Sequence, residues 1–96
     1  MNATRQHIVD RLREIVATRL DVDIAPDRIG LTDGFQSVIG IDSIGFIELK
    51  YQCEEEFGIR IDESEFVPGH FLNCDALSGF VMTKLGTRMP AQEPVR

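Results

Sequence analysis

The sequence predicts an all-α protein, a small four-helix bundle with three longer helices, one short helix and a long first loop. Apolar residues recur at helical spacing over 4–20 and 43–57, and again after Asn73. No segment shows the sustained alternation of apolar and polar residues that marks a half-buried strand. Glycine and proline lie mainly between the periodic segments, where turns are expected. With 96 residues the chain has room for one hydrophobic core, so we expect a single domain.

The first helix is predicted over residues 4–20, and charged residues occupy its outer face. Its apolar stripe contains Ile8, Val9, Leu12, Ile15, Val16 and Leu20. The following stretch, 21–42, has no sustained period and is interrupted by Pro26 and by glycines. We therefore expect a long loop, attached to the core by its scattered apolar side chains, with a turn of helix near 33–37.

The second helix is predicted over residues 43–57 and carries two apolar stripes, with Gly58 as its end. One stripe contains Phe46, Leu49, Cys53 and Phe57. The adjacent stripe contains Ile44, Ile47 and Tyr51. One stripe is enough to pack a helix against a core. The second stripe is therefore either an exposed docking patch or part of a wide buried arc, and the pattern alone leaves both open.

The last third of the chain begins with a short extended link, 59–61, whose isoleucines should point inward. The acidic cluster 62–65 starts a short helix through Val67, which Pro68 interrupts. Asn73 is predicted to cap the final helix and Gly86 to end it. This divides the chain into a helical domain, 1–86, and a flexible C-terminal tail, 87–96, which contains two prolines.

Composition excludes several function classes. The formal net charge is −6, from 16 acidic and 10 basic residues, which argues against nucleic-acid binding and against attraction to anionic membranes. No apolar run reaches membrane-spanning length, and the N-terminus leads directly into a charged helix without a signal peptide. We therefore expect a cytoplasmic monomer. Its acidic surface suits encounters with basic partner proteins.

Cysteine and histidine usage does not indicate a metal site. In a chain without export signals, Cys53 and Cys74 are expected to be free buried thiols. Together with His70 they match no familiar zinc-ligand spacing, so no metal is predicted. His70 is expected to be a loop or packing residue.

The segment around Ser43 carries the chemistry. A hydrolase would need Gly-x-Ser-x-Gly between a strand and a helix, but Ile41 replaces the first glycine and no strand precedes it. Instead, Asp42 and Ser43 stand at a predicted helix start, after a turn for which Gly40 supplies backbone freedom. A helix N-terminus stabilises a phosphate through its unpaired amides and its dipole. The pattern therefore favours Ser43 as the attachment point of a phosphate-linked group, in a protein that is not an enzyme.

These residues resemble a known family. The stretch 39–44, Ile-Gly-Ile-Asp-Ser-Ile, is similar to the Leu-Gly-x-Asp-Ser-Leu signature of acyl carrier proteins, and Phe35 is similar to the family's loop phenylalanine. The resemblance continues through 47–49, the acidic segment 54–57 and the link that follows. It extends from about residue 8 to residue 85.

The resemblance implies that Ser43, preceded by Asp42, takes 4′-phosphopantetheine from coenzyme A through a phosphopantetheinyl transferase that uses Mg²⁺. The thiol of that arm would then hold acyl intermediates as thioesters for separate enzymes such as a ketosynthase or an acyltransferase. It also implies that partner enzymes dock on one face of the second helix, which favours the exposed-patch interpretation. The implied docking residues are Ile44, Ile47, Glu48, Tyr51, Glu54 and Glu55.

Departures from the family pattern bear on the pathway. Gly45 stands where many fatty-acid carriers have an acid, Phe46 is bulkier than usual, and Lys50 interrupts the acidic face. These features favour polyketide or other specialised-metabolite biosynthesis, with fatty-acid biosynthesis kept open. One alternative is an aminoacyl or peptidyl carrier. Another is a helical protein-interaction module that is never modified.

Overall fold

The computed structural model describes residues 4–91, and the side chains of residues 4–86. Three α-helices form the molecule: α1 (Arg5–Arg19), α2 (Ser43–Phe57) and α3 (Cys74–Ala91). Shorter helical turns lie between them, at Pro26–Arg28, Phe35–Ile39 and Glu63–Glu65. No strand occurs among residues 4–91. The predicted all-α bundle with three longer helices and a short one is confirmed. The long first loop contains two of the short turns.

The first helix begins and ends within one residue of its predicted bounds. Thr4 caps it, because its hydroxyl accepts a hydrogen bond of 3.1 Å from the His7 amide. The apolar stripe of α1 is buried and packs against both α2 and α3. Because α1 contacts both other long helices, it forms the centre of the bundle.

The ends of α2 agree with the prediction, whereas the end of α3 does not. Gly58 adopts a left-handed conformation, with φ of +63°, and terminates α2 as expected. Asn73 caps α3 by accepting a hydrogen bond of 2.8 Å from the Ala76 amide. The predicted end of α3 at Gly86 is wrong, since the helix continues to Ala91. Glycine weakens a helix by about 1 kcal/mol relative to alanine but keeps its amide donor, so it need not end one.

The short third helix is also shorter than predicted. It covers Glu63–Glu65 and starts with a capping box, in which the Asp62 amide donates to the Glu65 carboxylate at 2.9 Å. It does not extend to Val67, because a residue before proline is driven away from helical backbone angles. The predicted division of the chain at residue 86 stays a prediction, and residues 92–96 of the expected tail lie outside the described residues.

The long first loop is attached to the bundle by buried side chains and backbone hydrogen bonds. Ile29, Phe35 and Ile41 are each at most 2% exposed. The Phe35 amide donates to the Leu72 carbonyl at 2.8 Å, and the Asp75 amide donates to the Leu31 carbonyl at 2.9 Å. These bonds join the loop to Leu72, just before α3, and to the first turn of α3. The link after α2 has no regular secondary structure, and the predicted inward position of Ile59 and Ile61 is confirmed, since both are buried.

Both cysteines are free and buried, as predicted. Burial raises the pKa of the Cys74 thiol to about 11 and raises that of Cys53 as well, which keeps both protonated at neutral pH. Within residues 4–91 there is no group of three or more His, Cys, Asp or Glu side chains arranged to hold a metal ion. None of the helices in that part of the chain is long and apolar enough to cross a membrane.

Candidate functional site

The turn that precedes Ser43 is held by one buried residue. The five-residue helical turn Phe35–Ile39 ends at Gly40, which has a φ of +90° and is therefore in the left-handed region that favours glycine. The amides of Gly40 and Ile41 both donate to the Phe35 carbonyl, each at 2.8 Å. Because the Phe35 side chain is fully buried, these bonds attach the turn to the core.

Asp42 and Ser43 form the start of α2. Asp42 is the N-cap residue, and its Oδ1 accepts a hydrogen bond of 2.8 Å from the Gly45 amide. Ser43 is the first residue of the helix and is exposed. The predicted attachment residue thus stands at the positive end of the helix dipole, next to the amides of the first turn. The Asp42 side chain therefore stabilises the start of α2 as its N-cap.

The two apolar stripes of α2 have different environments. Leu49 and Cys53 are fully buried, and Phe46 and Phe57 pack partly buried against the core. Ile44, Ile47 and Tyr51 are 77%, 59% and 53% exposed. The second stripe is therefore an exposed apolar face beginning next to Ser43, and the alternative of one wide buried arc is wrong.

The three predicted acidic docking residues also differ from one another. Glu54 is half-buried, and its carboxylate accepts from the Ile61 amide at 2.8 Å, which ties α2 to the link that follows it. Glu48 accepts a hydrogen bond of 2.6 Å from Gln52 on the same helix. Glu55 is exposed. The Glu55 carboxylate is thus exposed, whereas those of Glu48 and Glu54 accept hydrogen bonds within the protein.

The capped serine turn, the exposed stripe and the helix order are accompanied by similarity to known proteins. The family model described as "Phosphopantetheine attachment site" matches residues 10–70, which include all of α2 and its preceding loop. The chain belongs to the acyl carrier protein family. Members of this family carry 4′-phosphopantetheine as a covalent prosthetic group.

Several relatives support this membership. An acyl carrier protein of Treponema denticola is 31% identical over 55 residues, which cover 57% of this chain and 68% of the relative. One from Campylobacter hominis is 34% identical over 58 residues, or 60% of this chain and 71% of the relative. The polyketide-8 synthase acyl carrier protein 2 of Streptomyces avermitilis is 36% identical over 58 residues, or 58% of this chain and 62% of that protein.

The local structure of this family member fits such a prosthetic group. A phosphodiester needs an exposed hydroxyl and nearby donors, and the first turn of α2 offers both at Ser43. Two clefts flank this turn. One, of about 350 Å³, is lined mainly by apolar side chains that include Phe46, Phe66 and Phe71. The other, of about 420 Å³, lies between the end of α1 and the start of α2 and includes both polar and apolar residues.

The two histidines have separate positions in the carrier. His7 is exposed on the first turns of α1. The His70 ring stacks on Phe80 of α3 with 4.3 Å between ring centroids, and its Nδ1 lies 2.8 Å from the Glu65 carbonyl oxygen. The predicted packing role of His70 is confirmed. It attaches the segment after the short third helix to α3.

The structural need for a glycine at position 45 was not predicted from the sequence. A Cβ atom added to Gly45 would lie 2.8 Å from Cγ2 of Ile41 and 3.3 Å from Oδ1 of Asp42. In the sequence, Gly45 is notable only as a departure from the family pattern. The sequence does contain one signal for this contact. A glycine stands in the first turn of a predicted helix, four residues after a large apolar residue.

Proposed function

We propose that Ser43 is the attachment residue for 4′-phosphopantetheine and that the protein is a non-catalytic, cytoplasmic acyl carrier for polyketide or other specialised-metabolite biosynthesis. The observation that carries this proposal is the exposed serine at the first position of α2, directly after a side-chain cap. A serine placed there can be reached by a transferase. Its phosphodiester product is stabilised by the helix N-terminus.

Attachment is a phosphoryl-group transfer to the serine. The Ser43 hydroxyl attacks the pyrophosphate of coenzyme A, an Oγ–P bond forms, and the P–O bond to the nucleotide portion breaks. The serine proton leaves through the transferase, and adenosine 3′,5′-bisphosphate is the leaving group. Once attached, the group supplies a thiol at the end of a flexible arm, on which an acyl group can be held as a thioester. In the carrier, Asp42 holds the turn, and the amides of the first turn offset the phosphodiester charge.

The exposed face of α2 is proposed as the surface that meets the transferase, the ketosynthase and the acyltransferase. Its apolar part is formed by Ile44, Ile47 and Tyr51, all more than half exposed. Glu48 and Glu55 add negative charge, in a chain whose net charge is −6. Apolar contact gives affinity, whereas complementary charge on a basic partner increases the rate and orientation of encounter.

The choice of pathway is supported by residues next to the serine. The first turn of α2 contains no acidic residue, because Gly45 takes the place of an acid common in fatty-acid carriers. Phe46 adds aromatic surface to the apolar cleft beside it. A relative named as a polyketide synthase carrier is among the similar proteins. An aminoacyl carrier would share the serine turn and is distinguished by which donor loads the arm.

The test is the intact mass of the protein before and after incubation with coenzyme A, Mg²⁺ and a broad-specificity phosphopantetheinyl transferase. Wild type should gain one phosphopantetheine, and Ser43→Ala should gain none. Ser64→Ala, which removes another exposed serine, is the matched control and should gain the group as wild type does.

A gain on Ser43→Ala would place the attachment elsewhere and refute the assignment. No gain on folded wild type that carries no arm beforehand would refute the carrier function and favour an unmodified interaction module. Loading the holo-protein with acyl or aminoacyl donors then separates the two carrier types. An acyl carrier should be loaded by acyl donors and not by an aminoacyl-adenylating enzyme.

A further inference from the structure

We propose that Gly45 is a positioning residue for the modification of Ser43, acting through its contact with Ile41. This inference rests on the proposed function of Ser43. Gly45 lies two residues after Ser43, in the first turn of α2, whereas Ile41 lies two residues before it. The two residues therefore flank the serine in the sequence, and the backbone of Gly45 lies against the side chain of Ile41.

The contact leaves no space for a side chain at position 45. A Cβ atom there would lie 2.8 Å from Cγ2 of Ile41, a distance that real Cβ contacts essentially never show. Ile41 is 2% exposed, so it is surrounded by the core, where side chains are close-packed. Its Cγ2 methyl branches directly from Cβ, and such side chains are stiff at χ1. Ile41 therefore cannot move away by a simple rotamer change.

The displacement would fall on the residues that present the serine. The Ile41 amide is bonded to the Phe35 carbonyl, which resists movement on that side. The added Cβ would also lie 3.3 Å from Oδ1 of Asp42, the atom that caps α2 by accepting from the Gly45 amide. In a variant with a side chain at position 45, the strain would be relieved by weakening the cap or by moving the start of α2. Either change would move Ser43. A displacement of about 1 Å at a reacting group can lower a rate by about a hundredfold.

The contact also determines what a partner finds beside the serine. Every residue other than glycine, including aspartate and glutamate, brings the same Cβ atom. The first turn of α2 consequently has no acidic side chain, and within that helix the nearest is Glu48. Apart from the Asp42 cap, an enzyme that handles this carrier therefore meets no carboxylate in the first turn of α2.

The test is a double-mutant cycle on the full chain with coenzyme A and a phosphopantetheinyl transferase. Gly45→Ala adds only the clashing Cβ. Ile41→Leu removes the Cγ2 branch while keeping side-chain volume, a change that cores usually tolerate. The two are measured singly and together, because coupling between contacting residues appears as non-additivity. Gly79→Ala in α3 is the matched control, since a Cβ there would have no atom within 4 Å apart from its chain neighbours and the backbone of its own helix.

For Gly45→Ala we expect kcat/KM for modification to fall by about tenfold or more, because Ser43 is displaced from its productive position. In the Ile41→Leu background the same substitution should change it by less than about threefold. Gly79→Ala should be modified as wild type is. Amide hydrogen exchange provides a readout independent of activity. The amide at position 45 should lose protection in Gly45→Ala and regain it in the double variant.

Two results would overturn this proposal: Gly45→Ala modified at the wild-type rate, or the double variant as slow as Gly45→Ala alone. Alanine normally stabilises a helix relative to glycine. A lower melting temperature for Gly45→Ala, restored by Ile41→Leu, would therefore report the clash even if modification could not be measured. If wild type itself gained no phosphopantetheine, the proposed function would fail, whereas the contact would still be tested by exchange and melting.

Discussion

The hydrogen bond between Asp42 and the start of α2 gives a prediction that follows directly from one contact. Oδ1 of Asp42 accepts from the Gly45 amide at 2.8 Å, and Asp42 is exposed. Asp42→Ala removes this acceptor, so that the Gly45 amide can donate its hydrogen bond only to water. The loss of an N-cap side chain costs about 1 kcal/mol, within a range of about 0.5–2. For a domain of this size that corresponds to a decrease in melting temperature of about 4–8 °C.

The control is Asp42→Asn, which keeps an oxygen able to accept and removes the charge. Asparagine and aspartate are about equally good N-caps. We therefore expect Asp42→Asn to lie within about 0.5 kcal/mol of wild type, the difference being the charge–dipole contribution at an exposed site. Thermal and urea unfolding followed by circular dichroism at neutral pH would measure both variants.

Two results would contradict the assignment of Asp42 as a cap. The first is an Asp42→Ala variant as stable as wild type. The second is an Asp42→Asn variant as unstable as Asp42→Ala, which would show that charge and not the hydrogen bond stabilises the turn. The same variants, tested with the transferase under conditions where both are folded, would show whether the capped turn also supports modification of Ser43.

Further predictions concern packing, thiol reactivity and pH. Leu49→Ala should lower the free energy of unfolding by about 2–5 kcal/mol because its side chain is fully buried, whereas Ile47→Ala, on the exposed face of the same helix, should change it by less than about 0.5. Urea unfolding compares the two, and equal losses would contradict the assigned burial. Because burial raises the pKa of the Cys74 thiol to about 11, iodoacetamide at pH 8 should label it slowly in folded protein and rapidly in urea. The hydrogen bond and ion pair with Lys84, at 2.9 Å, lower the pKa of Glu65. A lowered folded pKa contributes stability that is fully present above the unfolded pKa and is lost as pH falls through the folded pKa. Lys84→Met should therefore be less stable than wild type at pH 7, and the difference should shrink in acid.

Local signals in the sequence were sufficient to determine the helix ends where those ends depend on local chemistry. The start of α2 follows from a capping aspartate before Ser43. Its end follows from Gly58, because glycine adopts the left-handed conformation at little energetic cost. Thr4 and Asn73 act in the same way for α1 and α3. The serine turn could be located from the sequence because capping, glycine freedom and the phosphate preference of a helix N-terminus are all local properties.

The end of α3 shows where such signals are ambiguous. A glycine is compatible both with a helix end and with a helix interior, where it costs only about 1 kcal/mol relative to alanine. Gly79 and Gly86 both lie within α3. Packing of the apolar face of the helix, through Leu77 and Val81 in the core, is a larger contribution than the propensity of single residues.

Only the tertiary structure decided which parts of α2 face the core. Ile44 and Leu49 are both aliphatic and both on apolar stripes, yet one is 77% exposed and the other fully buried. Periodicity identifies a stripe but does not say whether another element covers it, because covering depends on residues distant in sequence. The same reason separates Glu54, bonded to the Ile61 amide, from Glu55.

The sequence by itself therefore determined the all-α class, the position of the serine turn and the acidic character of the carrier. The structure decided that the stripe beside Ser43 is open and that Gly45 leaves room for Ile41. The physical reason is the range of the interactions. Caps, turns and charge act between neighbours in the chain, whereas burial and close packing depend on where the long loop brings Phe35 and Ile41 against the helices.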